Sequence, residues 1–397
     1  MLHRYAFSNF QSFAEHTEVS LLLNGKVPPL AWETTSQGQH RLSTALAVVG
    51  PNGSGKTALL KPLVFLVWFL RASFRAESDA PIPVTPHFSQ ADAPTELEVE
   101  AEGPDGRLWR YMVRLTTERV LHEALYQQKV KGFSYVFVRE WDDKAQRYHI
   151  KQQDFGMSPI EARKVRPNAS LIATAAQYGV PLAQQLQRIH LYSNVVSTGR
   201  RSFHAQSDLP VAAKHFADHS EQQAHMARLL KSWDLGLSGV QLKEVLSGAP
   251  GEEERRIWFP FGLHTDRTGQ HRELPFFEES SGTQSAFVLL SRLLPALTHG
   301  GIAVIDEFEN DLHPHMIEPI LELFANPRTN PKRAQIVFTC HATEVLNVLH
   351  KSQVVLVEKN DSCESAAWRM DSVQGIRNDD NFYAKYMVGA YGAVPQI

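Results

Sequence analysis

Gly50-Pro51-Asn52-Gly53-Ser54-Gly55-Lys56-Thr57 constrains this chain more than any other stretch, because it matches G-x-x-x-x-G-K-[ST] in full and follows the apolar run Ala45-Leu46-Ala47-Val48-Val49. A buried strand, a glycine-rich turn and a helix beginning near Lys56 together form a phosphate cradle. The glycines let successive N–H groups point inward, and the helix aims its positive end at the same point. Asn52, Gly53, Ser54 and Gly55 would wrap the phosphates, Lys56 would reach the β- and γ-phosphates, and the Thr57 hydroxyl would hold Mg²⁺.

With 397 residues, 43% of them hydrophobic, the chain is globular and long enough to bury more than one core. Its formal charge of −3 gives no global electrostatic case for nucleic-acid binding. Cys340 and Cys363 are too few for a disulfide framework, and Met1-Leu2-His3-Arg4-Tyr5 is not the start of a signal peptide, so a cytoplasmic setting is expected. Leu63–Leu70 is the strongest apolar stretch. It falls short of the ~20 residues needed to span a bilayer, and it reads as the helix after the phosphate loop, covered on nearly all sides.

Short strands are expected over residues 2–10 and 17–23, and alternating stretches over 96–100, 108–115, 135–141 and 148–150 suggest an antiparallel sheet. From Ser158 to about Val245 the periodicity turns helical. Then come a strand over 256–261, a helix over 283–297, a strand over 302–305, a helix over 316–324, a strand over 335–338, a helix over 343–349 and a strand over 354–357. That alternation argues for an α/β layer with a mainly parallel sheet. The expected division is an N-terminal half of the head with a β subdomain (1–155), a helical insert projecting from it (156–250), and the C-terminal half of the head (251–397).

Ile302–Ile305 runs into Asp306 and Glu307, at the strand edge where ligands collect in a parallel sheet. Asp306 is placed to coordinate Mg²⁺ and Glu307 to orient and polarise an attacking water. Upstream, Glu279-Ser280-Ser281-Gly282-Thr283-Gln284 sets small and hydroxylated residues before an apolar helix; by itself this is an ordinary helix cap that also suits phosphate.

The order of phosphate loop, long insert, Ser-Ser-Gly-Thr-Gln and Asp-Glu resembles the ABC-type ATPases, with Ser280–Gln284 similar to their signature segment. The closer resemblance is to the OLD-like, RecF-related ATPases of bacterial phage defence, of the AbiL/RloA, PARIS and Septu type, which share a branch with the heads of structural-maintenance-of-chromosomes proteins. It rests on Phe7–Phe13, Glu279–Gln284, Asp306–Pro314 and Tyr386–Pro395. Gln11 departs from the pattern, standing where a basic residue is common.

The resemblance implies an ABC/SMC-like P-loop ATPase head that binds ATP with Mg²⁺ and dimerises on it, Ser281 and Gly282 of one copy completing the site built on Lys56 of the other. It implies a switch histidine at His341 and a glutamine, best placed at Gln90, that senses the γ-phosphate and the metal. A separately encoded effector such as a nuclease or toxin is the implied partner. The rival reading is a repair-type ATPase clamping nucleic acid, for which Arg200, Arg201 and Lys214 are the candidate contacts. A TOPRIM nuclease beginning at Val354–Asp361 is disfavoured, since the remaining residues are too few for its second acidic strand.

Overall fold

Ala45–Val49 is apolar at every position, and all five residues are buried. A strand without a polar face needs cover on both sides, which is the condition of a parallel sheet between two layers. The computed structural model of the protein describes residues 1–103, 105–196, 205–247 and 255–395; Arg200 and Arg201 lie outside them.

In the first half the strands are β1 (Leu2–Ser8), β2 (Thr17–Ser20), β3 (Glu33–Thr35), β4 (Arg41–Ser43), β5 (Ala45–Val49), β6 (Thr95–Glu102), β7 (Leu108–Leu115), β8 (Val120–Lys129), β9 (Gly132–Asp142) and β10 (Arg147–Gln152), with helix α1 (Lys56–Ala72) after β5. The middle holds α2 (Pro159–Ala162), α3 (Leu171–Gln177), α4 (Pro181–Leu186), β11 (Leu191–Ser193), α5 (Ala205–Asp218), α6 (Ser220–Ser232) and β12 (Gly239–Ser247). Then follow β13 (Arg255–Thr265), β14 (His271–Pro275), α7 (Ser281–His299), β15 (Ile302–Ile305), α8 (Ile317–Ala325), β16 (Gln335–Thr339), β17 (Val354–Lys359), β18 (Ser365–Arg369) and α9 (Phe382–Met387).

The central sheet has the order β11-β15-β16-β5-β17-β18, parallel throughout except for β18 at one edge. Side chains alternate across it. Leu46, Val48, Val304, Val337 and Val355 face α1 and a seven-stranded sheet of order β10-β9-β8-β7-β6-β1-β2. Ala47, Val49, Ile305, Phe338 and Leu356 face α5, α7 and α8. This is an α/β fold with a mainly parallel sheet and an antiparallel β layer.

The described residues of the segment 156–250 depart from the expected projecting insert. Leu171, Ile172, Ala175, Ala183 and Leu186 are buried in the core that holds α1. β11 adds a parallel strand to the central sheet, and Leu209, Ala213 and Phe216 of α5 pack with Phe287 of α7. A helix apolar enough to bury one face has to find cover, and the head supplies it. Its end is a strand, β12, paired with β13, where helical periodicity was expected to run to about Val245.

Two further expectations change. The helix expected over 343–349 is a single 3-10 turn, Thr343–Asn347. α1 with its following turn, Lys56–Arg75, is long and apolar enough by length and composition to cross a membrane, but most of that stretch is buried and it serves as the core helix between the two sheets.

Candidate nucleotide site

The phosphate loop leaves β5 beneath the neighbouring strand β17. A Cβ on Gly50 would stand 2.1 Å from the Val357 carbonyl oxygen, so only glycine fits this crossing. Gly55 has φ +110 and caps α1, and a Cβ there would meet the Ser365 and Ser12 hydroxyls. Ser365 Oγ donates to the Ser54 carbonyl at 2.6 Å and, its one proton so used, accepts from Ser12 Oγ at 2.8 Å, tying the loop to the start of β18 and to the N-terminal hairpin. No side chain caps α1, and no acidic residue lies in its first turn. Such an end, with its orphan N–H groups, suits an anion.

Lys56 Nζ donates to the carbonyls of Gly50 and Pro51, both at 2.8 Å. Burial pulls its pKa below the usual lysine value, while the carboxylates of Asp306, Glu309 and Glu307 oppose that shift. The amine is therefore held among carboxylates at the loop mouth.

Asp306 ends β15 and is 3% exposed. It accepts from the Thr57 hydroxyl at 2.9 and 3.1 Å and from the Thr339 hydroxyl at 2.7 Å. Asn194, just after β11, grips its main chain from both sides: Oδ1 accepts from the Asp306 N–H at 2.8 Å and Nδ2 donates to its carbonyl at 2.9 Å. Glu307 adopts φ +48, uncommon for a residue with a side chain, and its N–H donates to Thr339 Oγ1 at 2.7 Å. Thr339 thus orients both acidic residues. The His341 N–H donates to Glu309 Oε1 at 2.5 Å.

These groups meet in an open cleft of about 730 Å³. Asn52, Gly53, Gly55, Lys56 and Thr57 line one side, Asp306, Glu307 and His341 another, and Gln11 joins them. The cradle and its charges fit a triphosphate. The hard oxygen donors of Thr57 and Asp306, already within hydrogen-bond distance of each other, fit Mg²⁺, which would neutralise phosphate charge there.

Gln90 is not among the cleft residues. It ends a 3-10 turn, and its carbonyl accepts from Asn9 Nδ2 at 3.0 Å. The same Asn9 amide binds the Ala93 and Pro94 carbonyls, so the loop is spent on holding the N-terminal hairpin. Gln11, at φ +51 with its N–H donating to the Thr85 carbonyl, is the glutamine that reaches the cleft.

Ser281 and Gly282 are also outside this cleft. Ser280 caps α7 by accepting from the Thr283 N–H at 3.2 Å, and Ser281 is exposed at the first position of the helix. A Cβ on Gly282 would stand 2.8 Å from the Asp311 carbonyl, so this turn packs closely on the loop after Glu307. His313 is the cap of the next 3-10 turn, accepting from the His315 N–H at 3.2 Å.

Glu358, the acidic residue at the end of β17, accepts from the Ala393 N–H at 3.1 Å and props the C-terminal turn. Lys214 is paired with Asp218 at 3.1 Å.

Solved structures with a similar course include an Smc head bound to the C-winged helix domain of ScpA, at 10% identity over 94% of this chain and 99% of that one, with a TM-score of 0.48. The Smc head with a coiled coil and joint from Pyrococcus yayanosii matches at 9% identity over 98% and 99% of the two chains, with a TM-score of 0.45. The recombination mediator RecF matches at 11% over 86% and 92%, with a TM-score of 0.33. No curated protein matches the sequence. A family model does, over residues 45–347, which run from the first residue of the phosphate-loop strand to the turn after His341 and so enclose Lys56, Asp306, Glu307 and His341. The chain therefore belongs to the ATPase family described as "AAA domain, putative AbiEii toxin, Type IV TA system".

Proposed function

We propose that this protein binds and hydrolyses ATP in a head-to-head dimer of the ABC type, in which Ser281 and Gly282 of each copy close the site built on the other copy's phosphate loop. Lys56 and the α1 N-terminus hold the phosphates, Thr57 and Asp306 hold Mg²⁺, Glu307 orients the attacking water and His341 reads the γ-phosphate. Opening and closing of the dimer controls a separately encoded effector of the nuclease or toxin kind, in anti-phage defence of the OLD-like type and in the cytoplasm. The family description, with its toxin and antitoxin terms, supports the defence setting.

One observation carries the dimer. The cleft gathers the loop, the acidic strand end and His341, while Ser281 stands exposed on a helix N-terminus outside it. Donors on a second copy engage only when a γ-phosphate is present, so ATP favours the closed pair.

The test is complementation. Ser281→Arg and Lys56→Ala should each abolish turnover alone, and a mixture of the two chains should recover a fraction of it, because one composite site per mixed dimer is intact. Glu307→Gln with ATP should give a long-lived dimer by light scattering. Full activity of Ser281→Arg alone, or no recovery on mixing while Glu307→Gln stays monomeric, removes the shared site.

A further inference from the structure

At the opposite end of α1 from the phosphate loop lies a second cleft, of about 570 Å³, bounded by the last turns of α1, by α3 and α4, and by the start of β11. Its floor includes Val64, Trp68 and Leu191, and Arg71, Arg75 and Arg188 stand around it. Among the described residues no Asp or Glu lines it, although acidic residues outnumber basic ones in the chain as a whole. Among the described residues none of the three arginines forms an ion pair. Arg71 sits in the last turn of α1, where a cation suits the helix dipole, and its guanidinium reaches the Ile189 carbonyl at 3.4 Å. Arg75 ends the 3-10 turn that continues α1, and Arg188 follows the C-terminus of α4, so three helix ends bring their cations to one hollow. Three exposed guanidinium groups around one hollow give it a positive potential that favours an anion.

The rest of the lining narrows the anion. Trp68 is packed against Phe65 and Phe69 at 5.8 and 6.4 Å between centroids and is only partly buried, which makes it a rigid platform. Gln177, Gln184 and Gln187 add primary amides to the rim. The Gln187 amide N–H donates to the Leu70 carbonyl at 2.8 Å, which anchors that side chain across the helix end. Guanidinium groups for phosphate, an indole platform for a π-face and amides for hydrogen-bonding edges are complementary to one chemical unit.

We infer that this cleft binds a phosphorylated nucleoside unit, either free or within a single nucleic-acid strand, with the phosphate on Arg71, Arg75 and Arg188 and the base against Trp68. The site is separate from the ATP cleft and does not depend on the reading of that cleft.

The experiment is fluorescence anisotropy of a fluorescein-labelled oligothymidylate and the matching oligouridylate, with unlabelled UMP and AMP as competitors. The protein carries Lys56→Ala, so that the phosphate loop takes no part. Three phosphate contacts predict that log affinity falls with log salt at a slope of about −2. Each of Arg71→Glu, Arg75→Glu and Arg188→Glu should weaken binding about tenfold or more, and Trp68→Leu, which keeps the floor apolar, by a similar factor.

In the wild-type phosphate-loop background the three arginine variants should keep basal ATP turnover and melting temperature, which separates loss of this site from loss of the fold or of the ATP site. Competition by UMP or AMP identifies a free nucleotide as the ligand, and binding of the oligomers alone identifies a strand. No binding of oligomer or mononucleotide up to about 100 μM protein, the weak end of non-specific affinity, overturns the inference. Undiminished binding by the triple arginine variant does so too, as does equal competition by polyglutamate, which would assign the cleft to an acidic peptide.

Discussion

Thr339 is the residue on which the acidic end of the site turns. Its hydroxyl donates to Asp306 and accepts from the Glu307 N–H, so one side chain fixes both the Asp306 carboxylate and the strained backbone of its neighbour. Thr339→Val keeps the shape and removes both bonds, leaving the Glu307 N–H without its acceptor and Asp306 Oδ1 with only the longer Thr57 contact at 3.1 Å, a loss of about 1–3 kcal/mol. ATP turnover should fall at least about tenfold, and Thr339→Ser should restore most of it; steady-state hydrolysis of the three proteins checks this, and an unimpaired valine variant refutes the role. The residues that meet in the cleft through sequence pattern, Asn52, Gly53, Gly55, Lys56 and Thr57 with Asp306, Glu307 and His341, were readable because each follows a strand end fixed by an apolar run, whereas Ser54 of the same loop is buried beneath the cleft lining. Gln90 and Gln11 were not distinguishable in that way. Which glutamine reaches the cleft depends on the Asn9 amide holding the 90–94 loop, a contact made across more than eighty residues.

Among the elements, β8 is the longest strand that the alternation pattern hides. Glu123 and Gln127 are buried polar residues on a strand, where an apolar residue would have announced the core face. Glu123 is fully buried and accepts from the Tyr111 and Ser170 hydroxyls, from the Leu171 N–H and from Arg139 at 3.3 Å. Arg139, equally buried, donates to the carbonyls of Val165, Arg166 and Ala169 and lies 3.9 Å from the Tyr148 ring. The pair fastens the 165–171 loop, and with it α3, to the antiparallel sheet. Glu123→Ala strands the guanidinium in the core and should destabilise the protein by about 3–5 kcal/mol; denaturant unfolding followed by circular dichroism measures it, and a change below about 1 kcal/mol would show the pair to be dispensable. β5, β15, β16 and β17, by contrast, were legible because a parallel sheet covered on both faces leaves unbroken apolar runs, while the edge strands β11 and β18 lack such runs and were not expected. The break between α3 and α4 follows from Gly179, at φ +79, and Pro181, whereas burial of this whole segment against the head is a tertiary fact that periodicity does not carry.

For the whole molecule, the join between the two sheets sets a pH dependence. Gln335 at the start of β16 accepts from the Leu2 N–H at 2.7 Å and donates to the Leu2 carbonyl at 2.9 Å, and the next residue, His3, is 1% exposed beside Glu102. Burial holds the His3 pKa down at about 4, against 6.5 for a free histidine, with Glu102 opposing the shift. Between those values the unfolded chain binds the proton more readily than the folded one, so stability falls as pH drops from about 6.5 to about 4, by up to roughly 3 kcal/mol. His3→Gln should flatten this part of the stability profile measured by urea titration at several pH values. A variant whose profile keeps the wild-type slope would assign the acid sensitivity to other groups.

Asn194 has a consequence at the same scale. Because its amide clasps the Asp306 peptide from both sides, the chain entering and leaving β11 is mechanically coupled to the carboxylate end of β15. Tension on the chain around β11 is passed through this clasp to Asp306.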